Sequence, residues 1–449
     1  MAASNHALKI EQEDLEPEPL VGAYDTGRSI KLPMGNPWAP WRDFAVGGYR
    51  SVYRFLGRHA LTRATRAVPR TIGFLRKAVS RGEVTEGLAR PAMTVELIAH
   101  VAFDEALLAM ALAPSRLPGR SDYHRVGEEL GTARTLFARQ GWLASPASYH
   151  RLPPELEARD VVTTRGWANG IGYERITWES EFEPRGDEPG GDRWRSFSAN
   201  KSAAAALVRH READRPWIVA VHGFCMGFPF MDFQGLHVSK LHRELGLNVA
   251  LPVLPLHGSR RATKISGEPF MSFDLMNAVH GLSQSIWDIR RLISWIRAQG
   301  ATSIGLYGVS LGGYVSSILS GIEDGLACVI AGIPVSDFPS LYHHHSPRPH
   351  RARAIEHNIM GGNAEDVCRV VSPFSYSPRV PRDRRFIFAG YGDRLATPHQ
   401  AQRLWEHWER PSIAWYPGSH VGYLWSRQVN AFVGESLTAS GMSIPAAEE

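Results

Sequence analysis

Over residues 173–183, YERITWESEFE, apolar and polar positions alternate with a period of two, which predicts a half-buried strand. WRSFSANK (194–201), after a Gly/Pro/Asp turn, is expected to pair with it. Trp217–His222 (WIVAVH) and Asn248–Leu254 (NVALPVL) are short, continuous apolar runs, as in strands covered on both faces. Ser303–Tyr307, Ala327–Ile333 and Arg385–Gly390 read the same way, and Ile413–Tyr416 is a last short strand. Between them, apolar residues fall at 275, 276, 279, 282, 286, 289, 292, 293 and 296. Those steps of three and four predict a helix within 272–299, stopped at Gln299-Gly300. Strands separated by helices of this length imply βαβ units and a mostly parallel sheet.

The first part of the chain has a different texture. Residues 1–40 are polar and proline-containing, as in a loosely ordered arm, and residues 41–165 are expected to form a mainly helical N-terminal extension. Within 41–90, eleven Lys/Arg stand against Asp43, Glu83 and Glu86. Val52, Phe55, Leu56, His59 and Ala60 recur there at helical spacing with arginines between them. Such a helix is either a solvated basic face or a surface helix for an anionic membrane. MTVELIAHVAFDEALLAMALA (93–113) is strongly apolar, yet Glu96, His100, Asp104 and Glu105 interrupt it. A buried helix accounts for that pattern better than an interfacial one or a metal site, for which the spacing lacks a partner motif.

Composition narrows the class. At 449 residues, 43% hydrophobic and 21% charged, the chain is ordinary globular material, long enough for a sizeable core. Cys225, Cys328 and Cys368 have no short spacing between them, which excludes a disulfide scaffold and a Cys-rich zinc module and fits a reducing compartment. The net charge of +5 is a mild bias, and no aromatic-interleaved basic module supports nucleic-acid binding. MAASNHALKIEQEDLEPEPL is acidic and lacks the apolar stretch of a secretory signal, and no apolar run is long enough to span a membrane. The expected location is cytoplasmic, with peripheral membrane contact through residues 41–113 as a further expectation.

The sharpest chemistry lies in SIGLYGVSLGGYVSSIL (303–319). An apolar strand runs into Gly308-Val309-Ser310-Leu311-Gly312, and an apolar-periodic helix follows. This is G-x-S-x-G in the strand–turn–helix setting that the motif requires. The turn is tight enough to strain the serine backbone and to exclude side chains two residues to either side. Ser310 Oγ then projects from the sheet at a helix N-terminus, whose dipole favours developing negative charge.

On these residues the chain resembles the α/β-hydrolase superfamily, and the resemblance covers about residues 170–440. It implies a mostly parallel central sheet flanked by helices, with residues 338–383 as a small cap-like insertion. That superfamily orders its triad serine, acid, histidine along the chain. Asp393, in Tyr391-Gly392-Asp393 after strand 385–390, resembles the acid. His420, in Pro417-Gly418-Ser419-His420 after the last strand, resembles the base. The oxyanion hole would use the amides of Leu311 and of Phe224, within VHGFCMG (221–227), with Cys225 as the alternative donor. His222, Gly223, Cys225 and His257 are possible pocket residues, His222 bracing its loop and His257 structural or substrate-contacting. Asp337, in PVSDF, is an alternative acid, whereas His399 and His407 read as helix-surface histidines. Tyr342-His343-His344-His345 invites a metal reading, but adjacent side chains on a regular element diverge, and a cap surface fits better.

The expected activity is hydrolysis of carboxylic esters through a Ser-His-Asp triad and an acyl-enzyme, the substrate being a small-molecule or lipid ester. No metal or organic cofactor is implied. A peptidase or amidase of the same fold, or a non-catalytic binding module, are the competing readings.

Overall fold

A computed structural model describes residues 94–112, 118–212 and 214–443, with the backbone alone at 107–112. The arm 1–40 and the basic segment 41–90 lie outside the described residues. Among the described residues, nine strands form one sheet in the order β1-β2-β3-β5-β4-β6-β7-β8-β9. They are β1 Val162–Ala168, β2 Ile171–Glu179, β3 Ser202–Val208, β4 Trp217–Val221, β5 Asn248–Pro252, β6 Ile304–Val309, β7 Cys328–Gly332, β8 Arg385–Gly390 and β9 Ser412–Tyr416. β1, β2, β3 and β5 pair antiparallel, and everything from β5 through β4 to β9 is parallel.

The helices are α1 Val95–Leu112, α2 Arg120–Arg139, α3 Gly191–Ser196, α4 Pro229–Gly235, α5 Leu275–Ala298 and α6 Leu311–Ile322. They continue with α7 Phe338–His345, α8 Arg348–Glu356, α9 Gly362–Cys368, α10 Pro398–His407 and α11 Arg427–Ala439. The apolar runs of the central strands are continuous because both sheet faces are covered. Along β4, Trp217, Val219 and Val221 enter one core with residues of α2, α5 and α6, while Ile218 and Ala220 enter a second core with residues of α4 and α11. Burial of both faces also explains why β1, exposed along most of its length at the sheet margin, carries the weakest apolar signal.

One expected strand is absent. Residues 194–201 are not a partner of β2: they form the end of α3 and a 3₁₀ turn, and β3 pairs with β2 instead, Ala205 opposite Ile176. Trp194 turns inward and donates its indole N–H to Gln284 of α5, at 2.9 Å. The strand itself is SAAAALV, whose alanines have low strand propensity and no alternation, yet all six residues after Ser202 are buried.

The residues between β7 and β8 form α7, α8, α9 and short 3₁₀ turns; α8 and α9 pack on α2, where Arg134 pairs with Asp366 and the Tyr123 hydroxyl meets His350 Nδ1 at 2.7 Å. Among the described residues, no helix is long and apolar enough to cross a membrane.

Candidate active site

The parallel strands β4 and β6 to β9 run the same way, so the segments that follow them leave one edge of the sheet. Ser310 follows β6, Asp337 lies beyond β7, Asp393 follows β8 and His420 follows β9. The loop 222–227 follows β4, the neighbour of β6, with Val221 opposite Gly308.

Ser310 has φ 55° and ψ −114°, a left-handed conformation that costs a non-glycine residue about 1–3 kcal/mol. Its amide donates to Gly332 O at 2.9 Å, so the strain is held by the edge of β7. The flanking glycines have a steric reason. A Cβ on Gly308 would stand 2.1 Å from Gly312 O, and one on Gly312 would stand 2.0 Å from Val221 O. Leu311 opens α6, so its amide has no acceptor within the helix. The loop after β4 lies against the serine: a Cβ on Gly223 would sit 3.4 Å from Ser310 Cβ.

His420 Nδ1 and Asp393 Oδ2 are 2.7 Å apart, both residues buried. The other oxygen, Asp393 Oδ1, accepts the amides of Leu395 at 2.9 Å and Ala396 at 2.8 Å. Burial works to lower the imidazole pKa, but the adjacent Asp393 outweighs it and the net direction is upward. Asp337 is engaged elsewhere. It caps α7 by accepting the Ser340 amide at 3.1 Å, and it pairs with Arg403. It borders a groove of about 690 Å³ whose lining includes none of Ser310, Asp393 and His420. His407 contacts Tyr376 O from α10, and neither it nor His399 contacts Asp393.

His222 is buried behind the loop. Its Nδ1–H donates to Gly223 O at 2.8 Å, and its Nε2 accepts the Leu254 amide at 3.1 Å, which fixes the tautomer. Burial lowers its pKa to about 4, so the ring is a neutral brace between β4 and β5. His257 is also buried and neutral, donating from Nδ1 to Pro255 O at 2.8 Å, with its ring 5.9 Å from that of Phe224. Cys225 has φ 66°, and burial pushes its thiol up to about 12, so it offers no thiolate. In the histidine run, His345 Nε2 donates to Leu395 O at 2.8 Å, on the acid loop, while His343 is exposed.

Two contributors escaped the sequence reading. Asp232 of α4 is buried and accepts the Gly227 amide at 2.9 Å, closing the far end of the loop that carries Phe224. Asp104 of α1 is fully buried, and one of its oxygens accepts the amides of both His420 (2.7 Å) and Arg394 (3.1 Å). The signal for Asp104 was an acid among the few polar residues that interrupt a strongly apolar helix.

The antiparallel margin leading into a parallel sheet, the strained serine between β6 and α6, and the acid and histidine after the last two strands define an α/β-hydrolase fold. The chain belongs to the same family as the Mycobacterium tuberculosis proteins MT2702 (strain CDC 1551 / Oshkosh) and Rv2627c (strain ATCC 25618 / H37Rv), both described as uncharacterized. It is 41% and 40% identical to them over 363 residues, 79% of this chain and 84% of each relative. No protein-family model matches the chain. Among solved structures it is similar to acetyl xylan esterase 1 from Thermoanaerobacterium sp. JW/SL YS485, with 12% identity and a TM-score of 0.47 over 67% of this chain and 93% of that one. It is also similar to an acylaminoacyl peptidase from Pyrococcus horikoshii, with 15% identity and a TM-score of 0.39 over 64% of this chain. The match spans 42% of that peptidase, less than half its length. At these identities and scores neither likeness bears on substrate.

Proposed function

We propose that the protein is a serine hydrolase that cleaves carboxylic esters, with Ser310 as nucleophile, His420 as base and Asp393 as the group that orients it. Ser310 Oγ attacks the acyl carbon while His420 Nε2 takes its proton. The carbonyl oxygen becomes an oxyanion received by the amides of Leu311 and Phe224. The imidazolium is stabilised by Asp393 and then protonates the leaving alkoxide as the C–O bond breaks. Water, deprotonated by His420, attacks the acyl-enzyme and releases the acid with Ser310 restored.

The observation that carries this reading is the 2.7 Å Asp393–His420 pair on the same sheet edge as a serine held at φ 55°. An acyl ester with an apolar chain is the proposed substrate class, supported by the basic segment 41–90 placed ahead of an apolar helix. The test is hydrolysis of p-nitrophenyl esters of rising chain length beside the matching p-nitroanilides. The expected result is turnover of the esters, favouring longer chains, and its loss by at least about a thousandfold in Ser310→Ala. Equal kcat/KM on anilide and ester would overturn the ester assignment. Unchanged ester turnover in the mutant would overturn the nucleophile.

A further inference from the structure

The structure assigns Asp104, on the helix that precedes the hydrolase sheet, as a positioning residue for the histidine of the site, an inference that rests on the triad proposed above. The helix α1 seats Leu97 and Val101 in the protein, as an ordinary amphipathic helix does, but two acids go in with them. It buries Asp104 and Glu105 against the protein and leaves Val95 and Phe103 exposed. Burying two carboxylates is costly unless each is hydrogen-bonded or paired. Glu105 pairs with the Arg394 side chain at 3.0 Å. Asp104 takes no ion pair among the described residues. Its Oδ2 joins two loops by accepting the amides of His420, the base, and of Arg394, the residue after the acid. Its Oδ1 is buried and has no hydrogen-bond partner among the described residues.

This single oxygen therefore fixes the spacing of Asp393 and His420 from behind, while their side chains meet in front at 2.7 Å. The packing around it leaves little slack. A Cβ on Gly392 would stand 2.6 Å from Leu97 of α1, and one on Gly422 would stand 3.1 Å from His100. So α1 is seated on both loops, and its acid ties the reactive geometry to the docking of a segment outside the sheet.

The charge matters as well as the acceptor. Groups facing Asp104 are Asp393, His420 and Tyr416, with Glu105 and the Arg394 guanidinium beside them. Burial, and then Asp393, raise the Asp104 carboxyl to about 6, and the charged form in turn favours protonated His420. Removing that charge lowers the imidazole pKa and shifts the acid limb of reactivity to lower pH.

The experiment uses the full chain and a fluorophosphonate probe, with labelling rates of wild type, Asp104→Ala and Asp104→Asn measured from pH 5 to 9 and folding checked by circular dichroism. Asp104→Ala is expected to label at least about tenfold more slowly at pH 8, since small displacements of reacting groups cost up to about a hundredfold. Asp104→Asn, which keeps an acceptor oxygen, is expected to recover part of that loss with its acid limb at lower pH. If Asp104→Ala does not fold, the limb of Asp104→Asn decides alone. Labelling of Asp104→Ala within twofold of wild type, or an unmoved acid limb in Asp104→Asn, overturns the inference and leaves the triad standing. Absence of any wild-type label on Ser310 overturns the triad and the inference with it.

Discussion

Replacing Asp393 by asparagine changes one atom and leaves the shape of the site intact, so its effect tests the role proposed for this acid. Asp393 Oδ1 accepts two amides, the part-buried Leu395 at 2.9 Å and the buried Ala396 at 2.8 Å, while Oδ2 faces His420 Nδ1. An asparagine that keeps its oxygen on the two amides must turn its NH₂ toward the imidazole. Nδ1 then becomes the acceptor, the ring proton moves to Nε2, and Nε2 can no longer take a proton from Ser310. Flipping the amide would restore the tautomer but leave one part-buried and one buried N–H without an acceptor, at about 1–3 kcal/mol each. The wrong tautomer is therefore favoured by about 2–6 kcal/mol. That range brackets the ~10⁴-fold loss, or ~5.5 kcal/mol, known when a triad aspartate becomes asparagine. The assay is the second-order rate of fluorophosphonate labelling, read beside a thermal melt. A rate within tenfold of wild type at an unchanged melting temperature would refute the assignment of Asp393.

Asp337→Asn removes the charge that pairs with Arg403 but retains an N-cap for α7, so labelling is expected to stay within about threefold with under ~1 kcal/mol lost in a denaturant melt. A loss larger than that of Asp393→Asn would move the acid to Asp337. Gly312→Ala drives a methyl to 2.0 Å from the backbone oxygen of Val221, which forces the elbow apart. The expected cost is about 1–3 kcal/mol of stability with at least tenfold slower labelling, and wild-type values for both would contradict the steric argument.

The central strands were legible because a strand buried on both faces must be apolar at every position, as in WIVAV and CVIAG. The elbow was legible because the motif is five consecutive residues between a strand and a helix, although only the Gly308 clash is internal to it and that of Gly312 is with Val221 of the neighbouring strand. β3 was misplaced by eight residues at its start because its burial comes from neighbours on both faces, not from its own alternation, and the tryptophan-bearing segment before it had a partner on α5 that no local pattern reveals. Asp393 and His420 were expected from the resemblance, on the turns after the last two strands, while chain order and strand ends alone left Asp337 open as the acid. The role proposed for Asp104 leaves no such trace in the sequence, because the carboxylate is hydrogen-bonded to residues 290 and 316 positions away. Only the anomaly of buried acids in an apolar helix pointed to it.

Peptide mapping by mass spectrometry of the fluorophosphonate-treated full chain, wild type beside Ser310→Ala, reaches the central claim most directly. A single adduct on the peptide that contains Ser310, absent from the folded mutant, is the predicted result. An adduct on a different residue, or none on folded wild-type protein, would contradict the assignment of Ser310 as an activated nucleophile.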